Sequence, residues 1–404
     1  MYFLICLILL LGCSDPDNLP DLPVSPKDSL NILWNHKIYP DQSTGFISEP
    51  LLWGSNIIFS TAYFKPGNTI QSRNKITGQI GWDLQDPLLG PDNSGETNCQ
   101  LFQNEMIWQN SRTFLNIDLN NGSILQVDKI EDAWMGERLS VLGNYLYAEI
   151  ADKPIQQIDN FFIRRAIHGE SWDTLLIISK EDGFTKFINT ANMHIDNSGD
   201  SLLLFTVGKW NFTESRGQSD FYCYSLKDKS IKWRLKDWDK DGCSVLQPII
   251  YQSKVYFQGH HTLYCIDIES GEQLWKYVMP EYLSTLDINQ ALIAENKLIL
   301  KPNSHSIYAL NPHTGILVWK NDESGGNVNK INYANGMIIY TANFYLFVVD
   351  IRNGKTIWKK KSPNDKGGEI GFNGFIPCGV NAQDSVIYAA DEQNIMAIKM
   401  PELK

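Results

Sequence analysis

The stretch LYCIDIESGEQLWKY, Leu263 to Tyr277, holds an alternating strand, a Ser-Gly turn and a second strand carrying one tryptophan. The chain writes it again as IYALNPHTGILVWKN from Ile307 and as LFVVDIRNGKTIWKK from Leu346. Aligned on the turn glycine, the shared unit is a small residue, any residue, Asp or Asn, three residues, Gly, three residues, Trp. Clear copies run from Ser72 to Trp82 around Gly78, Cys265 to Trp275 around Gly271, Ala309 to Trp319 around Gly315, and Val348 to Trp358 around Gly354. Each letter has a physical task. Gly supplies the positive φ of the turn, the Asp or Asn side chain bonds turn amides, and the indole wedges between neighbouring units over the small residue.

Weaker copies fill the gaps. Asn116, Asp118 and Gly122 lead to Gln126 at the tryptophan place; Ile177 and Gly183 lead to Phe187; Cys223 leads to Trp233 with Lys229 at the glycine place. With Trp34 these give anchors at 34, 82, 126, 187, 233, 275, 319 and 358, and eight anchors predict eight units. Two further strands precede each motif, as around Ile249 and from Val255 to Phe257, joined by the turn QSK. Four short antiparallel strands per unit of about 40 to 45 residues is the pattern of a propeller blade. The last unit, SVIYAADEQNIMAIKMPELK, has only three strands, and LNILWNHKI near the start supplies a lone one. Joined, they complete one blade. The expected fold is therefore all-β: an eight-bladed β-propeller of four-stranded antiparallel blades over residues 30–404, closed by the N-terminal strand.

The chain is identified by these letters as a member of the pyrroloquinoline-quinone-type repeat family, whose motif AxDxxTGxxxW is nearly complete in ALNPHTGILVW. The tryptophans in register are Trp82, Trp233, Trp275, Trp319 and Trp358. The resemblance implies either of two functions. Quinoprotein dehydrogenases of this type hold the quinone and a calcium ion in the central funnel, with two adjacent cysteines against the cofactor and an Asp as base; this chain has no adjacent cysteines. The other branch looks like the propeller lipoprotein of the outer-membrane β-barrel assembly machinery, which scaffolds other proteins. The expectation is a non-catalytic module without a quinone, with an alcohol- or sugar-oxidising quinoprotein as the alternative.

The N-terminus fits the envelope. Tyr2 to Leu11 form an apolar run too short to span a bilayer, ending in LLGC at Cys13. This resembles a lipobox: residues 1–12 would be a signal peptide and Cys13 the lipid-bearing first residue of the mature chain, although no Lys or Arg precedes Tyr2. Residues 13–29, rich in Pro and Asp, suit an extended tether, and the acidic residues behind the cysteine resemble the surface-export signal of Bacteroidetes lipoproteins. The expected address is the bacterial outer membrane, facing the periplasm or the cell surface. A net charge of −11 argues against a nucleic-acid partner. Cys99, Cys223, Cys243, Cys265 and Cys378 are an odd set without tight spacing, so they indicate neither a disulfide framework nor a zinc site.

Candidate sites lie in the loops. The turns between first and second strands are tiny and share one face with the glycine turns, which leaves the long segments to the other. The segment from Ala151 to Trp172 stands out, because Phe161, Phe162, Arg164, Arg165 and Trp172 mix aromatics with Arg as contact hot spots do. It reads either as a docking insert for a protein or glycan or as a segment packed on its own blade. Trp134, Trp172 and Trp210 are candidates for stacking on a glycan. In DWDKDG, Asp237, Asp239 and Asp241 copy the first half of a calcium loop, while Val245 and Pro248 break the second half. That stretch reads as a weak calcium site or as an acidic turn neutralised by Lys236 and Lys240.

Overall fold

The computed structural model describes residues 30–39, 46–62, 68–89, 99–109, 113–129, 134–135, 139–151, 159–179, 185–211, 213, 216–239, 242, 246–280, 290–326, 330–364, 378–391 and 393–403. The signal-peptide and tether assignments, with Cys13, fall outside them, as do Asp241, Lys240 and Cys243. The described strands form eight antiparallel sheets. Blades 1 to 7 span residues 46–85, 99–129, 134–178, 185–239, 249–278, 291–321 and 332–360. Blade 8 takes three strands, Cys378–Asn381, Val386–Ala390 and Asn394–Lys399, from the C-terminal end. Its fourth is Ile32–Lys37, with Trp34 opposite Ala397. The wheel thus closes on a seam made from both ends of the chain.

First strands of neighbouring blades touch one another, which puts them at the axis and the motif tryptophans on the outer strands. Burial follows from this layering. Second and third strands are covered on both faces by adjacent blades, so Tyr345–Asp350 and Thr262–Asp267 are apolar and buried almost throughout. Outer strands such as Gln273–Val278 alternate because one side meets water. Side-chain amides stitch the inner strands together. Gln100 of blade 2 donates to Leu139 O and accepts from Val141 N of blade 3. Asn192 of blade 4 donates to Pro248 O at the entrance to blade 5, and Asn332 of blade 7 to Cys378 O of blade 8. Glu49 and Lys330, just ahead of the inner strands of blades 1 and 7, pair at 3.1 Å across the closing blade between them.

Two expectations need correction. Phe187 is not the outer-strand anchor of its unit; it lies on Thr185–Ile188, an inner-strand piece of blade 4. The outer strand of blade 3, Asp173–Ile178, carries no tryptophan: Arg164, opposite Tyr147 as Cys265 is opposite Tyr256, faces Asp173. Nor is the segment from Ala151 to Trp172 one long loop. Asn160–Ala166 is the third strand of blade 3, so the segment crosses the blade and delivers Trp172 to the glycine-turn side. Trp210 lies on a long hairpin, Ser201–Asn211 with Arg216–Ser225, where it pairs with Gly217.

Candidate functional site

The repeat motif builds the blade interfaces, and its departures show where something else is built. At five interfaces the indole Nε1 donates to the carbonyl of the residue after the Asp or Asn of the next blade. Trp34 reaches Lys75 O at 3.1 Å, Trp82 Leu119 O at 2.9 Å, and Trp233 Ile268 O at 2.7 Å. Trp275 reaches Pro312 O at 3.2 Å and Trp319 Ile351 O at 2.9 Å. Each ring lies against the glycine of that next turn. A Cβ on Gly315 would stand 2.6 Å from the Trp275 ring and one on Gly354 2.4 Å from Trp319, while their φ values are +70° and +75°. Gly271, at φ +73°, receives Trp233 in the same way. The glycine therefore serves both the turn and the neighbouring indole. Trp358, whose next blade is the seam, packs on the buried cluster that contains Ile398 and Met400 and that Leu30 and Leu403 also cover.

The cysteines belong to this packing. Cys223 and Cys265 occupy the small-residue place opposite Trp233 and Trp275, and both are wholly buried. Burial pushes both thiols up to about 12. They do not supply the adjacent pair that a quinone of the dehydrogenase branch would meet. The acidic turn is also committed elsewhere. Asp237, held below the usual carboxylate range first by a hydrogen bond from Lys209, pairs with that buried lysine, and Asp239 accepts from Tyr264 Oη at 3.0 Å. Lys209 also pairs with Asp220 at 3.0 Å, and Asp220 in turn with Arg234 at 2.5 Å. The main neutralising charge on Asp237 is therefore Lys209, a strand residue across the blade, ahead of Lys236. Among the described residues no three His, Cys, Asp or Glu side chains gather as a metal site.

The interface between blades 2 and 3 is built differently. Gln126 replaces the tryptophan, and Asn116, in the small-residue place opposite it, donates to Ile167 O, the carbonyl an indole would otherwise take. The aromatic ring comes from the other side. Trp172 of blade 3 packs back onto Phe114 of blade 2, with ring centroids 5.2 Å apart. The Arg165 guanidinium lies 5.0 Å from the Trp172 ring centroid and pairs with Asp128 of blade 2. Arg165 is 1% exposed, yet its Nε and Nη2 have no acceptor.

Strand periodicity divides the residues that the sequence grouped. Phe161 and Arg165 face blade 2. Phe162 and Arg164 face the other way, with Phe162 4.7 Å from the Phe205 ring of blade 4 and Arg164 paired with Asp173 at 3.2 Å and over Tyr145. Between the outer strands of blades 2 and 3 an open cleft of about 490 Å³ remains. Phe161 and Trp172 line it together with Val127, Asp128, Lys129, Ile150, Ile163, Glu170 and Thr174. Trp210 does not line it, and Trp134 begins the inner strand of blade 3. Asp128, Lys129, Glu170 and Thr174 escaped the sequence analysis because each is an ordinary polar residue until two blades are brought together.

Repeat, ring and docking geometry define an eight-bladed propeller of the quinoprotein-like, PQQ-repeat fold. Its C-terminal part, residues 218–400, matches the family model described as outer membrane protein assembly factor BamB. Among solved structures the chain is similar to BamB from Moraxella catarrhalis, at TM-score 0.59 and 11% identity over 93% of this chain and 99% of that one. It is also similar to a europium-containing methanol dehydrogenase, at 0.63 and 12% over 91% and 85%. The computationally designed Ika8 protein matches at 0.62 and 13% over 92% and 100%. At these identities the likeness is one of fold. Among curated protein sequences there is no match.

Proposed function

We propose that the protein is a non-catalytic binding propeller of the bacterial envelope, tethered through lipid on Cys13 at the outer membrane and holding a protein or glycan partner. The observation that carries this is the blade 2–blade 3 interface, where the docking indole is given up and half-exposed Phe161 and Trp172 line a charged cleft on the rim. Half-exposed aromatics beside paired charges are the composition of contact hot spots. The family match to an outer-membrane assembly factor over residues 218–400 supports the envelope address. The engagement of Asp237, Asp239 and Asp220 in structural pairs supports a scaffold role.

The test is capture of partners from membranes of the native organism by the wild type and by Phe161→Ala and Trp172→Ala. Point changes are needed because deleting the segment from Ala151 to Trp172 would remove a whole strand of blade 3. Partners retained equally by all three proteins would refute the cleft as the binding surface. Incubation with pyrroloquinoline quinone and calcium tests the competing dehydrogenase reading, which a bound chromophore with alcohol or sugar oxidation would establish.

A further inference from the structure

We propose that the cleft between blades 2 and 3 is a saccharide subsite that takes an uncharged, hydroxyl-rich sugar ring against Trp172 and Phe161. The inference rests on the binding-module reading above and names the ligand class. The lining has two components. One is aromatic: the Trp172 indole is backed by Arg165 and Phe114 yet remains half exposed, and Phe161 beside it is half exposed as well. A backed and partly open indole is a rigid platform whose electron-rich face attracts polarised C–H groups. The other is a mixed polar set. Asp128 and Glu170 only accept hydrogen bonds, Lys129 only donates, and Thr174 does both.

This balance selects among ligands. Asp128 is neutralised by Arg165, and Glu170 and Lys129 balance each other, so the lining carries no net charge to draw an anion or a cation. A purely apolar ligand would strip water from four polar side chains without replacing their hydrogen bonds. A neutral sugar answers each requirement: its hydroxyls donate to carboxylates and accept from amines, and its ring carries an apolar C–H face. At about 490 Å³ the cleft falls within the size range of small-ligand sites.

The full chain, labelled, is applied to an array of neutral and acidic glycans and to a peptide array, and retained glycans are titrated by tryptophan fluorescence. Neutral glycans are expected to bind. Trp172→Ala should weaken them at least ten-fold and Trp172→Phe much less. Glu170→Gln, at an exposed position, should weaken them several-fold, and Val127→Trp, which fills the cleft from its exposed edge, should abolish binding with an unchanged circular dichroism spectrum. The last two variants keep the test decisive if Trp172→Ala does not fold. Absence of neutral-glycan binding, binding that survives Val127→Trp, or retention of peptides alone overturns the saccharide assignment. If membrane partners still depend on Trp172 in that event, the binding-module reading stands without it; if they do not, both fall.

Discussion

The interface between blades 5 and 6 and the interface between blades 2 and 3 solve one problem in opposite ways. In the first, Trp275 leans forward, donates to Pro312 O and fills the space over Gly315. In the second, Gln126 cannot fill the wedge. Trp172 leans backward from the next blade, a buried Arg165–Asp128 pair bridges the gap, and a cleft remains outside it. A repeat that obeys the motif fills its interface with its own indole, whereas the repeat of blade 2, which departs from it, is met by an indole from its neighbour.

The comparison breaks hardest at its glycines. Gly315→Ala forces a Cβ to 2.6 Å from the Trp275 ring at φ +70°, and should cost about 3 kcal/mol, read from the urea midpoint. Gly143→Ala, at φ +58° with nothing within 4 Å of its Cβ, isolates the backbone part and should cost about 1 kcal/mol. Equal losses for the two would show that the indole does not need the glycine. Next in size is the ion pair. Asp128→Ala strands the Arg165 charge, and because the carboxylate is 23% exposed the expected loss is about 2 to 3 kcal/mol, below that of a fully buried pair. A variant as stable as the wild type would mean that Arg165 is not held by Asp128. Trp275→Phe keeps a ring in the wedge but removes the donor to Pro312 O, with an expected cost of about 1 kcal/mol. The same change at Trp172, for which no indole hydrogen bond defines the packing, should cost less in stability.

The smallest effect is a pH slope at the axis. Burial pushes the Glu49 carboxyl up, against the pull of Lys330. The folded state therefore holds this proton more tightly than the unfolded chain does. The resulting stability is fully present below the ordinary carboxylate range and is lost as pH rises through the raised folded value. Glu49→Gln should flatten that part of the stability profile, and an unchanged profile in the variant would assign the slope to another group.

The sequence carried the architecture because the docking unit repeats its own reason: glycine, acidic or amide turn residue and indole each serve a neighbour at fixed spacing. The split blade was legible for the same cause, since Trp34 lacks an upstream half and Asn394–Lys399 lacks a downstream one. Blade 3 was misread because it keeps neither the glycine nor the indole. With Ala166 beginning its turn and no indole on Asp173–Ile178, only strand pairing reveals the unit. The candidate site was half legible. Phe161 and Trp172 announced themselves by composition, but strand alternation, which sends Arg164 and Phe162 away from them, depends on where the strand begins. Lys209 as the partner of Asp237 had no sequence signal, because it is a lone charge within a strand that reads as apolar.

The seam has a consequence for how the molecule comes into being. Ile32–Lys37 leaves the ribosome long before its partner Asn394–Lys399. The entropic cost of that late meeting is modest, since loop closure adds only about 0.6 kcal/mol per doubling of length. The delay is the greater hazard, because in a crowded refolding mixture the waiting strand of one copy is an equally good complement for the unfinished blade of another. Exchange of chain ends between two copies is thus the characteristic assembly error this wheel invites.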